Sequence, residues 1–225
     1  MEKMETQKTF FMGSDVCDNE GKKLLKLYEF ALYQMKTRVL TLQEELAGSN
    51  SYNPIEHVKS RLKTWQSVIN KCKRKGVPLN RENIHRHVQD VAGVRLICSF
   101  RSDIYRLAGM LMQHPDLEVI EYKDYIENPK PNGYQSFHLV LEVPVVLTDR
   151  IERMPVELQI RTVAMDFWAS LEHKIYYKQN LKNVPASLTK DLQDAAKQIT
   201  ALDEKMENIF KDMQDLKILN FDDND

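Results

Sequence analysis

Two long apolar stripes bracket the chain. Leu25, Tyr28, Leu32, Met35, Val39, Leu42 and Leu46 recur at alternating spacings of three and four. That period predicts a helix from Ser14 or Asp15, both good N-caps, to about Ala47, where Gly48-Ser49-Asn50 stops it. After the breaker Pro185 the same alternation carries Leu188, Leu192, Ala195, Ile199, Leu202, Met206, Ile209, Met213 and Leu216. It predicts a second long helix over about 186–217. Such stripes either pack on the body of the protein, or on each other, or build a subunit interface; both are long for a purely internal role. Residues 1–13 carry no period and are expected to be loose.

The middle of the chain changes its period several times. A stripe of Ile55, Val58, Leu62, Trp65 and Ile69 predicts a helix from Pro54 to about Lys75, closed by Gly76 and Pro78. The near-continuous apolar run Val91 to Phe100 predicts a strand buried on both faces. Residues 101–113 read as helix and Leu117 to Tyr125 as strand. Asn128 to Gly133 must be a loop. Phe137 to Val146 and Pro155 to Arg161 read as strands, and 162–178 as a helix with Phe167, Leu171 and Ile175 on one side. The fold class is therefore α/β (α+β), a mixed central sheet flanked by helices. A single domain over 1–225 is expected, with a core of about 50–178 and helical flanks of about 14–47 and 186–217.

Composition narrows the function classes. With 42% hydrophobic and 29% charged residues the chain reads as an ordinary soluble globular protein. A net charge of −1 gives no global pull toward nucleic acid or membrane, so any anionic ligand must meet a local basic cluster. Cys17, Cys72 and Cys98 are neither even in number nor paired in spacing, which argues against a disulfide framework or zinc knuckle and suits a reducing cytosol. No apolar run is long enough to cross a bilayer, and the charged N-terminus has no signal-peptide core. A cytoplasmic location is expected.

Four segments carry candidate chemistry. On the helix expected after Pro54, Lys59, Lys63, Ser67 and Lys71 fall four apart, a row of donors suited to a polyphosphate or simply a solvated basic face. Arg61 can turn to the same side. Asp90 directly precedes the buried strand that contains Arg95; an aspartate there can hold a hard cation such as Mg²⁺. Arg95 is costly in such a run unless paired, either with a buried acid such as Glu157 or with a base or phosphate. In Glu157-Leu-Gln-Ile-Arg161, strand alternation puts Glu157, Gln159 and Arg161 on one face. If that strand neighbours Val91–Phe100, Glu157 and Asp90 can share a metal against a triphosphate; a surface edge strand is the alternative. Finally, Lys123 and Lys130 lead a loop into Tyr134 and His138, where the ring can face a purine and the cations can meet phosphates. Tyr134 taken alone is equally a strand start.

Together these segments resemble the synthetase domain of the RelA/SpoT family. Asp90-Val-Ala-Gly-Val-Arg95, Lys123-Asp-Tyr-Ile, Pro131-Asn-Gly-Tyr-Gln-Ser-Phe-His138 and Glu157-Leu-Gln-Ile-Arg-Thr162 occur in the family's order, over about residues 50–178. The chain is most similar to the small, RelP-like alarmone synthetases, a reading that Ala164 to His173 supports. The resemblance implies a nucleotidyltransferase-like fold and transfer of the β,γ-pyrophosphate of ATP to the 3′-hydroxyl of GTP or GDP, releasing AMP. It implies Mg²⁺ on Asp90 and Glu157, with Glu157 also helping to deprotonate the attacking hydroxyl. Arg61 and Arg95 would enclose the adenine, with Lys63, Ser67 and Lys71 on the ATP phosphates. Tyr134 would stack on guanine, Lys123, Lys130 and His138 would serve the acceptor's phosphates and ribose, and Gln159, Asp166 and Glu172 would line that pocket. A homotetramer is implied as well. Hydrolase and regulatory domains of the long enzymes are not expected, because too few residues flank the core. A nucleotidyltransferase acting on RNA, releasing pyrophosphate, is the rival enzyme; a binding module without turnover is the non-enzymatic one.

Overall fold

The computed structural model describes residues 14–49, 52–177 and 186–222. The expectation for residues 1–13, and the side chain of Cys17, lie outside what it describes. The elements run α1 (Ser14–Ser49), β1 (Ile55–Leu62), α2 (Trp65–Lys75), α3 (Arg81–His87), β2 (Ala92–Cys98), α4 (Arg101–Met112), β3 (Glu118–Asp124), β4 (Phe137–Val146), β5 (Ile151–Thr162), α5 (Val163–Tyr177) and α6 (Ala186–Asp222). The five strands form one sheet in the order β1-β2-β5-β4-β3. Only β2 and β5 are parallel; the other pairs are antiparallel. Helices flank this mixed sheet, as the apolar pattern implied.

The sheet's two faces differ because the period of a strand is two. One face carries Val94, Leu96, Leu139, Leu141, Leu158 and Ile160, all buried. Helix α1 runs across β1, β2, β5 and β4. Its stripe residues Tyr28, Met35 and Val39 are fully buried in the same core, which decides for α1 that the stripe is internal. Near its N-terminal end Gly21 lies against Trp65: a Cβ there would come within 2.3 Å of the indole ring.

The expected helix from Pro54 is the main correction. Residues 55–62 form an edge strand, and a helix starts only at Trp65. Thr64 makes the break: it is extended, and its Oγ1 accepts the Ser67 backbone N–H at 3.3 Å as the N-cap of α2. Spacings of three and four over Ile55, Val58 and Leu62 also fit a strand in which Ile55, set off by a register shift before His57, is buried in the core and Val58 and Leu62 pack partly buried against it, and the tertiary pairing with β2 decides. On α2 the buried residues are Val68 and Cys72. Gly76 closes α2 in the left-handed conformation (φ 65°).

Smaller differences have local causes. Helix α3 is too short to show a period, although Asn80 caps it by accepting the Asn83 N–H at 2.8 Å. Strand β5 starts four residues before Pro155 because Ile151–Met154 pairs with Val143–Val146 across a hairpin closed at Leu147 and Arg150. Phe167, Leu171 and Ile175 do share one side of α5, but it is the exposed side, with Phe167 60% accessible. The α6 stripe divides: Leu192 and Ala196 pack with Trp168 and Ala169 of α5, whereas Leu202, Met206, Ile209, Met213 and Leu216 are exposed. Cys72 and Cys98 are buried free thiols. Among the described residues no helix is long and apolar enough to cross a membrane.

Candidate active site

The sheet's other face is polar, and the strand registers align it in two rows. Lys59, Arg95, Gln159, His138 and Lys123 are successive cross-strand partners over all five strands. One step along lies Arg61, Gly93, Glu157, Val140 and Glu121. Glu157 thus stands on the central strand, which removes the edge-strand alternative for β5. It also stands between two hollows. One, of about 180 Å³, is walled by Lys59, Arg61, Arg95 and Gln159, with Gly93 leaving its floor bare. The other, of about 220 Å³, is walled by Lys71, Lys75, His87, Asp90, Lys123, Tyr125, Lys130 and His138. Glu157 lines both.

Asp90 sits where the chain enters β2. Lys71 Nζ lies 2.7 Å from its Oδ1 and Lys63 Nζ 3.3 Å from its Oδ2. These two lysines were expected on one helical face; instead Lys63 follows β1 and Lys71 belongs to α2, and the acid between them gathers them. Burial pushes the Asp90 carboxyl up, but the ammonium groups of Lys71 and Lys63 outweigh it and hold it below the ordinary aspartate range. Ser67 stands at the N-terminus of α2, its hydroxyl 2.9 Å from Thr64 Oγ1. Lys59 reaches the other way, its Nζ 3.7 Å from Asp166 Oδ2.

Glu157 is enclosed by uncharged and weakly basic partners. His138 Nδ1 lies 3.2 Å from its Oε1, and Gln159 Nε2 donates to its Oε2 at 2.9 Å. Burial again raises the carboxyl, the His138 hydrogen bond lowers it, the Asp90 charge raises it and Gln159 lowers it. The net direction is down, so Glu157 is an anion at neutral pH. That the Asp90 charge reaches Glu157 puts the two carboxylates in one electrostatic neighbourhood, as the parallel β2–β5 pairing requires. Two carboxylates open to a hollow fit Mg²⁺, which binds to one or two protein carboxylates and completes its shell with water and phosphate. Among the described residues no group of three or more His, Cys, Asp or Glu gathers for a metal.

Arg95 does not pair with Glu157. Its Nη1 donates to Asp166 Oδ1 at 3.0 Å, and the same oxygen accepts from Arg161 Nη1 at 3.3 Å. Burial and then the charge of Arg161 depress the Arg95 guanidinium, and Asp166 opposes them. The resemblance groups Gln159 and Asp166 with the acceptor; here both stand on the Arg95 side. Arg61 and Arg95 do face one hollow together.

Across Glu157 the loop before β4 is shaped by α5 and α6. Lys130 Nζ lies 4.6 Å and 4.7 Å from the ring centroids of Tyr125 and Tyr134. Tyr134 OH lies 2.8 Å from His138 Nε2. Glu172 of α5 accepts from Asn132 Nδ2 at 3.1 Å, so it holds the loop rather than lining the hollow. Gly133 has φ 92°, and a Cβ there would come within 2.6 Å of Ala196. Lys123 reaches Glu121 at 2.8 Å, which raises its ammonium pKa.

Sequence reasoning gave no role to Lys75, His87 or Tyr125 in the second hollow, nor to Arg161. Lys75 and His87 are the last residues of α2 and α3, and only the packing of those helices brings them to the hollow. Arg161 was legible, since alternation already placed it on the polar face.

Residues 60–182 match the family model described as the region found in RelA/SpoT proteins. The chain belongs to the RelA/SpoT family. It is 50% identical over 194 residues to the GTP pyrophosphokinase YwaC of Bacillus subtilis, covering 86% of this chain and 92% of that one. Its fold is similar to the crystal structure of small alarmone synthetase 1 from Bacillus subtilis bound to its product pppGpp, with TM-score 0.80, 34% identity, and 88% of this chain against 100% of that one. The same synthetase bound to AMPCPP gives TM-score 0.74, 32% identity and the same coverage.

Proposed function

We propose that this RelA/SpoT-family chain is a (p)ppGpp synthetase, a GTP pyrophosphokinase that moves the β,γ-pyrophosphate of ATP to the 3′-hydroxyl of GTP or GDP. The observation that carries this is Glu157 standing between two hollows, one with two guanidinium groups and one rich in Lys and His, whose Lys130 and His138 contact Tyr134. Relatives named GTP pyrophosphokinase, and neighbours bound to pppGpp and to AMPCPP, support nucleotides as substrates.

In this reading Arg61 and Arg95 offer planar cations to the adenine, and Lys63, Ser67 and Lys71 meet the ATP phosphates. Tyr134 stacks on guanine, with Lys123, Lys130 and His138 around the acceptor's phosphates and ribose. The acceptor 3′-oxygen forms a bond to the β-phosphorus, the bond from that phosphorus to the α–β bridging oxygen breaks, and AMP leaves. Glu157, ionised and held in place by His138 and Gln159, takes the hydroxyl proton. Asp90 and Glu157 would hold Mg²⁺, which would supply charge neutralisation on the transferred phosphates, and Lys71, paired with Asp90 in the free protein, would donate to phosphate. Most of the acceleration comes from in-line positioning and fixed charge.

Two further readings belong here. The exposed apolar halves of α5 and α6 support a homotetramer, as an apolar stripe of that length is unusual on a monomer surface. The free thiols Cys72 and Cys98 support a cytoplasmic enzyme. The functional reading is tested with Glu157→Gln, expected to keep the fold and abolish synthesis; normal turnover in that variant would sink it.

A further inference from the structure

We infer that Arg161 is a positioning residue for the acceptor: its guanidinium fixes the ring of Tyr134 and ties it to Asp166 on the opposite, donor side. The inference rests on the synthetase reading above. Arg161 is only 3% accessible. Its Nε donates to Ser136 Oγ at 3.3 Å, Nη1 to Asp166 Oδ1 at 3.3 Å, and Nη2 to Gln159 Oε1 at 3.0 Å and to the Tyr134 hydroxyl. Its plane also lies over the Tyr134 ring, 4.9 Å from the centroid.

This arrangement is poorly explained as stabilisation of the fold. Asp166 is shared by Arg161, Arg95 and Lys59, so one carboxylate answers three cations. Buried charge compensated that thinly rarely outperforms an apolar side chain of the same volume. The planar fork instead reaches three structural units at once: β5 through Gln159, α5 through Asp166, and the acceptor loop through Ser136 and Tyr134. Neither Lys nor an apolar residue can do this.

The contacts close a ring. Arg161 donates to Tyr134, whose hydroxyl meets His138 Nε2; His138 Nδ1 meets Glu157; Gln159 donates to Glu157 and accepts from Arg161. Arg161 therefore sits at one end of the ring and Glu157 at the other. Freeing Arg161 releases Tyr134 and Gln159 together, and with them both side-chain contacts that orient Glu157.

The test is a double-mutant cycle on Arg161→Lys and Tyr134→Phe, the second of which keeps the stacking ring and removes only its hydroxyl. Steady-state constants and GDP affinity by calorimetry are read, with melting curves to confirm folding. Each single variant is expected to lose roughly tenfold in kcat/KM for the acceptor, the size of a lost hydrogen bond to a charged group; KM for ATP should stay unchanged in Tyr134→Phe, which leaves Asp166 and Arg95 untouched. The double variant should be no worse than Arg161→Lys alone. Additive losses, wild-type values in both singles, or a loss matched by the unfolded fraction would overturn the inference. Should Arg161→Lys not fold, Tyr134→Phe with wild-type acceptor constants overturns it and the expected loss upholds it. A wild-type protein that makes no 3′-pyrophosphorylated product refutes the synthetase reading instead, and the cycle in GDP affinity still decides the Arg161–Tyr134 coupling.

Discussion

Lys71 Nζ lies 2.7 Å from Asp90 Oδ1, so the cation best placed for a triphosphate is held on the carboxylate best placed for a metal. In the free protein Lys71 is thus engaged with Asp90, and substrate phosphate competes for it. Asp90→Asn should therefore cut turnover roughly 100-fold or more while leaving Lys63 and Lys71 free to hold nucleotide. Steady-state kinetics across a Mg²⁺ titration, beside ATP affinity, checks this. Unchanged kcat, or unchanged Mg²⁺ dependence, would remove Asp90 from the metal site.

Tyr134→Ala takes away the flat face offered to guanine. The acceptor KM should rise by roughly 5- to 150-fold, the range found when an aromatic partner of a base is truncated. An unchanged acceptor KM would count against stacking.

At Gly133 the backbone itself selects the residue. Its φ of 92° and the approach of Ala196 leave no room for a side chain. Gly133→Ala should cost on the order of 1–2 kcal/mol and weaken acceptor binding by moving the Tyr134 loop off α6. Thermal melting and the acceptor KM report the two effects separately.

Asp203 accepts a hydrogen bond from Thr162 Oγ1, and Thr162 in turn accepts the Met165 N–H at 3.1 Å. Burial raises the Asp203 carboxyl, with Thr162 opposing it. An acid whose folded pKa lies above its unfolded value stabilises fully below the unfolded value, and loses that contribution as pH rises through the folded one. Asp203→Asn keeps the acceptor oxygen and removes the charge. It should melt higher than the wild type at pH 7, by about 2–4 °C for each kcal/mol recovered. The gap should close toward pH 3, and a gap that widens on acidification contradicts the assignment.

How much of this was legible in the sequence depended on whether one period dominated. Strand β4 was read with its observed ends, and β5 with Glu157, Gln159 and Arg161 on one face, because alternation there admits one side-chain arrangement. Residues 55–62 were misread because Ile55, Val58 and Leu62 fit a helix as well as an edge strand, and only pairing with β2 separates them. The basic row changed with it: Lys59 and Arg61 alternate along β1, while Lys63 and Lys71 meet through Asp90. Gln159 beside Glu157 was readable from that alternation, but Asp166 on Arg95 and His138 on Glu157 were not, since they come from α5 and β4, brought together by the sheet order. The same holds for the clamp of α6 on the Tyr134 loop.

The apolar stripe of α6 beyond Ile199 predicts a quaternary role. Removing residues 186–225 should reduce the number of chains per particle seen by light scattering. It should also weaken acceptor binding, because Gln193 and Ala196 pack on the loop. An unchanged oligomer would take α6 out of the interface.

The most direct measurement is the identity of the products when the protein is incubated with Mg²⁺, ATP and either GTP or GDP. The account predicts AMP in equal amount to a guanine nucleotide that carries a new pyrophosphate on its 3′-oxygen, and neither product with Glu157→Gln. Release of pyrophosphate with an adenylated acceptor, or guanine nucleotide recovered unchanged, would contradict it.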